Sequence, residues 1–162
     1  MENEQLKPKI FSRQQAKLKA ENYCAYQERS QYEIRNKLYE WGLYQKDVEE
    51  IICELIESNF LNEERFALAY TLGKFRIKGW GKIKIKQALK LKRVPDQLIK
   101  KSLQAIDDED YLLVLRRILE KKAETITEKD PFKHRYLLTR YGSGKGFELN
   151  LISDILISNK LD

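Results

Sequence analysis

Apolar residues along the chain fall at helical spacings. Ile34 and Leu38 are one turn apart, and Val48, Ile51, Ile52 and Leu55 share one helical face. Ser30 and Glu33 have the spacing of a capping box, in which the two side chains satisfy amides that a helix start leaves open. Gly42 stands where that helix can stop in a left-handed conformation. The pattern then recurs. Adding 51 to Ile34, Leu38, Leu43, Val48 and Ile52 gives Ile85, Leu89, Val94, Ile99 and Leu103, all apolar. A third copy matches Leu38 and Trp41-Gly42 to Leu138 and Tyr141-Gly142 at an offset of 100. After an inserted GSGK, Leu43, Val48 and Ile52 match Phe147, Ile152 and Leu156 at an offset of 104. LNEERFA, with Phe66, matches IDDEDYL, with Tyr111, at an offset of 45, and Asn62 and Asp107 are N-cap candidates.

This repeat resolves an ambiguous stretch, GWGKIKIKQALKLKRV at Gly79–Val94. Ile83 and Ile85 alternate with lysines as in a half-buried strand, yet the residues after them are good helix formers. The helical counterpart places KIKIK at the start of a helix, with Ile85, Ala88 and Leu89 toward the core. The pattern therefore predicts helices over 12–28, 30–41 and 45–58, then 62–77, 81–92 and 95–105, then 107–126, 131–141 and 146–159. The fold expected is all-α, three tandem three-helix repeats stacked into a short curved solenoid. Its parts are an N-terminal tail over 1–11, a first repeat over 12–60, a second, basic repeat over 61–106 and a third over 107–162.

Composition supports helices, since 7 Gly and 3 Pro in 162 residues leave little material for the turns of an all-β fold. Cys24 and Cys53 are too few for a disulfide framework, and both are read as lying on buried helix faces. No apolar run resembles a signal peptide or membrane span; the longest, such as YLLVL at Tyr111–Leu115, are far too short. A cytoplasmic monomer with no membrane partner is expected.

Charge changes the picture more. From Arg65 to Arg93 there are ten basic residues and no acid, against a net charge of +6 for the whole chain, so the remainder is net acidic. Such asymmetry suggests a polyanion or an acidic groove as partner. Lys74, Arg76 and Lys78 end one predicted helix, and Lys82, Lys86, Lys90 and Arg93 flank the next, so these cations are expected to form one ridge. Trp80, between two glycines in the joining turn, is the aromatic in this segment most available to a partner. Tyr70 is assigned to a packing stripe of Phe66, Tyr70, Gly73 and Ile77.

Taken together, the chain resembles the RecX family. The resemblance runs from about Ala16 to Leu156 and rests on the order and spacing of several short pieces. These are Arg29-Ser30-x-x-Glu33-Ile34-x-x-Lys37-Leu38, Leu61-Asn62-Glu63-x-x-Phe66-Ala67, the basic stretch with Lys74, Arg76 and Lys78, Gly81 and Ile85 with Leu89, and Leu137-Leu138-x-Arg140-Tyr141-Gly142-x4-Phe147. Two departures stand out. Lys92-Arg93 replaces the usual Lys-Gly before Val94, altering a turn that Gly would ease, and GSGK is expected to lengthen the last inter-helix loop. The resemblance implies a regulatory protein that lodges in the groove of the RecA–DNA filament and restrains the recombinase in DNA repair and recombination. Its partners would be the RecA filament and the DNA within it, through Lys74, Arg76, Lys78, Trp80, Lys82, Lys86, Lys90 and Arg93. A helical DNA-binding module or transcription factor, and a protein–protein scaffold whose lysines only aid solubility, are the alternatives.

Catalytic readings fare poorly. GSGKG at Gly142–Gly146 tempts a phosphate-loop reading, but the first motif glycine would be Thr139, Gly146 follows Lys145 where Ser or Thr is needed, and a helix precedes it. A flexible inter-helix loop is expected there. His134, the single histidine, aligns with Ile34 and is assigned to helix packing. With no second His and no paired Cys, neither metal nor cofactor is expected. Adjacent acids such as Glu49–Glu50 and Asp107–Asp108 diverge in space and do not form an acid/base pair. No enzymatic activity is expected.

Overall fold

The computed structural model describes residues 10–159. Among them are nine α-helices and no strand: α1 (Arg13–Tyr26), α2 (Gln31–Glu40), α3 (Gln45–Glu57), α4 (Glu63–Arg76), α5 (Lys82–Leu91), α6 (Asp96–Gln104), α7 (Asp108–Thr125), α8 (Pro131–Gly144) and α9 (Leu149–Asn159). The all-α fold of tandem three-helix repeats follows the sequence pattern closely. KIKIK opens a helix. By their packing the residues form two compact units, Met1–Phe66 and Ala67–Asp162, the division falling within α4. Most of the expected tail lies outside the described residues. Its last residue, Phe11, donates its N–H to the Trp41 carbonyl at 3.0 Å and sets its ring edge-on to that of Trp41.

In the first unit the caps are those the sequence announces. Ser30 Oγ accepts the Glu33 N–H at 3.1 Å, and the Glu33 carboxylate accepts the Ser30 N–H at 3.0 Å. Ala16, Ala20, Ile34, Leu38, Val48, Ile51 and Leu55 are buried from three helices around one core. Cys24 joins that core. Cys53 does not; it is exposed, because α3 turns Val48, Ile51, Ile52 and Leu55 inward and leaves position 53 on the opposite face.

The second unit is built on Tyr111, Leu115 and Leu119, a buried stripe of α7 at four-residue spacing. The Tyr111 ring packs between Phe75 and Phe147, with centroids 5.9 and 5.0 Å away. Asn62 and Asp107 both act as N-caps, each accepting an amide three residues on, at 2.9 and 3.0 Å. The stripe expected on α4 is wrong in phase. Ile77 is 81% exposed and Tyr70 half-buried, while Phe66, Ala67, Thr71 and Phe75 are the buried residues. Thr71 spends its hydroxyl on buried Ser102 at 2.9 Å, which lets a polar residue hold an inward position.

The repeated turn is the same three times. Leu43, Val94 and Phe147 each donate their N–H to a carbonyl five residues back, on Leu38, Leu89 and Gly142, at 3.2 Å. The residue before each is left-handed: Gly42 at φ 89°, Arg93 at φ 57° and Gly146 at φ 96°. This is a Schellman-type stop, in which a left-handed residue turns an amide back onto the helix's last open carbonyls. Arg93 therefore adopts the backbone that its glycine counterparts adopt without a Cβ. The GSGK expectation fails here. These residues extend α8 by about one turn, to Gly144, instead of lengthening the loop, and the stop moves to Gly146. Gly142, matched in sequence to Gly42, is instead buried within the helix, where an added Cβ would stand 2.9 Å from Ile152.

Candidate functional site

Seven of the eight ion pairs among the described residues lie between Arg13 and Arg65, in the first unit. Arg13 meets Glu54 at 2.6 Å, Arg35 meets Glu49 at 2.7 Å and Arg65 meets Glu28 at 2.9 Å. These pairs hold the carboxyls of Glu49 and Glu54 below their ordinary range, through hydrogen bonds from Arg35 and from Arg13 and Lys17. The second unit differs. Its ion pair among the described residues is Lys82 with Asp108, at a loose 3.8 Å. Lys74, Arg76, Lys78, Lys84, Lys86 and Lys90 have no carboxylate within 4.0 Å among the described residues, so their charge faces solvent or a partner.

The fold divides the expected ridge. Lys82, Lys86 and Lys90 line one groove of about 370 Å³ together with Lys100 and Asp96 of α6. Arg76 and Lys78 line another, of about 530 Å³, with Arg117, Lys121 and Lys122 of α7 and Lys145, which caps α8. Trp80 stands half-buried, with Lys74 Nζ 4.8 Å and Lys84 Nζ 4.5 Å from its ring centroid. Cation–π contact thus holds two lysines on one indole. Lys74 also reaches Tyr70, as does Lys92, at 5.4 and 5.8 Å. Arg93 is exposed in the turn after α5.

The head of the basic helix is seated by a later part of the chain. Gly81 donates its N–H to the Lys145 carbonyl at 2.8 Å, and Ile83 donates to the Gly146 carbonyl at 3.0 Å. Between them, the Lys82 N–H goes to the Tyr111 hydroxyl at 3.0 Å, which in turn donates to the Glu148 carboxylate at 2.8 Å. Burial pushes the Tyr111 phenol far above its usual range, with the Glu148 carboxylate adding to the effect. The phenol therefore stays a donor to Glu148 across physiological pH. Three amides at the helix start, with no intrahelical partner of their own, are satisfied this way.

Sequence reasoning missed the cations outside the Arg65–Arg93 run. Lys122, Lys129, Arg140 and Lys145 line a cleft in the second unit together with Lys84, and their spacing along the chain carries no signal that they converge. Burial pushes the Cys24 thiol up to about 11, so it is not a reactive thiolate. No group of three potential metal ligands is assembled among the described residues, and no helix among them is long and apolar enough to cross a membrane.

The fold defines a helical-repeat protein built of three-helix units. Family models for the first and second three-helix domains of RecX match residues 16–55 and 62–103. The chain is 31% identical over 145 residues to the regulatory protein RecX of Clostridium acetobutylicum, covering 87% of this chain and 67% of that one. It is 32% identical over 130 residues to the regulatory protein RecX of Clostridium perfringens, covering 79% of this chain but only 60% of that protein's length. A crystal structure of RecX from Lactobacillus salivarius has the same fold, with a TM-score of 0.82 at 23% identity, over 93% of this chain and 97% of that one. The chain belongs to the RecX family of regulatory proteins.

Proposed function

We propose that this protein binds the RecA–DNA filament in its groove and restrains recombinase activity in DNA repair and recombination. Family membership supports a regulatory role, and the observation that carries the rest is the contrast in charge pairing. Arg13, Lys17, Arg35, Lys37 and Arg65 of the first unit are paired with the protein's own carboxylates, whereas Lys74, Arg76, Lys78, Lys86 and Lys90 have no such pair among the described residues. Unpaired lysines beside grooves suit DNA phosphates and acidic filament surfaces. In this reading 12–60, 61–106 and 107–162 are the three repeats laid along the filament. The protein acts as a cytoplasmic monomer, by occupancy and without catalysis or cofactor.

The test is a strand-exchange and ATPase assay with the cognate recombinase, titrating this protein. Binding to RecA on single-stranded DNA should be far tighter than binding to either component alone, and both activities should fall as the protein is added. A dominant preference for one duplex sequence without recombinase would replace this reading with that of a DNA-binding module.

A further inference from the structure

A cleft in the second unit takes most of its wall from α7, α8 and the connection between them, with Lys84 contributed by α5. It measures about 1120 Å³ and is lined by Lys84, Lys122, Lys129, Arg140, Lys145 and Tyr141 among others. That volume is ample for a whole small-molecule ligand. Five cations face it and a single carboxylate, that of Glu128, lines it. None of the five has an ion-pair partner among the described residues.

Part of this arrangement has a local explanation. Lys122 lies in the last turn of α7 and Lys145 caps α8, where the helix dipole favours a cation. Lys84 is brought there by the seating of α5 on Lys145 and Gly146, with its amine 4.5 Å from the Trp80 ring centroid, but Lys129 and Arg140 have no such reason to converge. Like charges gathered on one concave wall repel, and an anionic ligand with several charges relieves the repulsion. The other lining residues narrow the choice. Ile126 and Leu137 supply an apolar wall beside Tyr141, and Lys122 Nζ and Lys145 Nζ sit 4.8 and 6.0 Å from the centre of the tyrosine ring. One flat apolar platform with amines beside it suits one base attached to one phosphate chain. A nucleic-acid strand would call for a succession of platforms along its backbone.

We infer that this cleft binds a free nucleoside triphosphate, with the base against Tyr141, Ile126 and Leu137 and the phosphates among Lys84, Lys129, Arg140 and Lys145. This goes beyond the filament reading and does not depend on it, because the site is complete without recombinase or DNA.

The experiment is a fluorescence titration of the full chain, alone, with the N-methylanthraniloyl derivative of ATP. Saturable single-site binding at about 100 μM or tighter is expected, displaced by ATP better than by AMP. Lys129→Glu and Arg140→Glu should each weaken it at least about tenfold, roughly the loss of one good charge interaction. Lys129 is exposed on a connection, so its reversal leaves the fold intact by circular dichroism. Tyr141→Leu should weaken binding and Tyr141→Phe preserve it. The double variant Lys46→Glu/Arg116→Glu, at exposed positions outside the cleft, should bind as the parent does. The inference is overturned by absence of saturation, by equal affinity for AMP and ATP, or by an equal loss in the control variant. It is also overturned if single-stranded DNA binds the cleft and the free nucleotide does not.

Discussion

Gly81 and Gly146 approach so closely that neither has room for a Cβ. One built on Gly81 would overlap the Gly146 carbonyl, and one built on Gly146 would overlap Lys84, standing 2.7 Å from its amide nitrogen. The approach is backbone on backbone, so no flexible side chain can move aside. Gly81→Ala and Gly146→Ala should each lower stability by roughly 1–3 kcal/mol, the usual cost of overpacking. Gly146→Ala should be worse, since φ 96° also disfavours a side chain. Gly73→Ala should do the reverse. Nothing lies within 4 Å of its added methyl, and it sits inside α4, so a gain of about 0.5–1 kcal/mol is expected. Urea unfolding of the three variants reads all three signs.

Arg93 separates stability from binding. Its φ of 57° costs a non-glycine residue about 1 kcal/mol that Gly42 and Gly146 do not incur at the equivalent stops. Arg93→Gly should therefore raise the midpoint of thermal unfolding while weakening filament binding. A lower midpoint would mean that the side chain contributes more to the fold than its backbone costs.

Glu63 makes the stability of the first unit depend on pH. Its Oε2 accepts the Gln31 N–H at 3.3 Å, Oε1 is buried without a partner among the described residues, and burial raises its pKa. A carboxyl raised by folding favours the folded state once protonated, and that stability is lost as pH rises through the folded value. Glu63→Gln keeps an acceptor for Gln31 and removes the buried charge. It should raise the unfolding midpoint at pH 7, with the advantage shrinking as pH falls toward the ordinary carboxylate range near 4.5. An advantage that persists undiminished below pH 4, on the order of a carboxyl's unperturbed value, would assign the effect to something other than this charge.

Lys86 and Lys90 are the cleanest test of the basic groove, because neither has an ion pair to lose among the described residues. Lys86→Glu/Lys90→Glu should weaken filament binding about tenfold or more and flatten its salt dependence by about 0.7 for each phosphate no longer neutralised. Lys82 is less suitable, since its Nζ lies 4.9 Å from the centre of the Tyr111 ring and its reversal would disturb packing. Reversal of Lys17 is no control either, as it breaks the 3.0 Å pair with Glu54. The exposed Lys46 serves better. Equal binding by the two groove-reversed and control proteins would make the groove an ordinary solvated surface.

What the sequence made legible is what one helix and its neighbour decide between them. The Ser30–Glu33 box, the caps at Asn62 and Asp107 and the burial of Leu38, Leu89 and Leu138 all follow from spacing alone. The repeat predicts Leu103 to be equally buried, but it is only half so, because α6 turns Ser102 inward to meet Thr71. The GSGK segment misleads for a local reason. Two glycines and a serine read as a loop, yet burial of Gly142 against Ile152 and Leu119 favours continuing the helix. The site was legible only as charge. That Trp80 carries Lys74 and Lys84, or that Lys84 and Arg140 line one cleft, depends on tertiary approach that no local spacing encodes.

The seating of α5 also sets an order in time. A ribosome makes Gly81, Lys82 and Ile83 well before Lys145, Gly146 and Glu148, whose groups receive their amides directly or through Tyr111. At ordinary elongation rates the interval is roughly 3–13 s. During it the lysine-bearing helix has its sequence but not its foundation, surrounded by ribosomal RNA that any loose basic segment would bind. The chain finishes its most cationic element only when its last repeat arrives, so a nascent chain halted before residue 145 carries the lysines without the geometry that presents them.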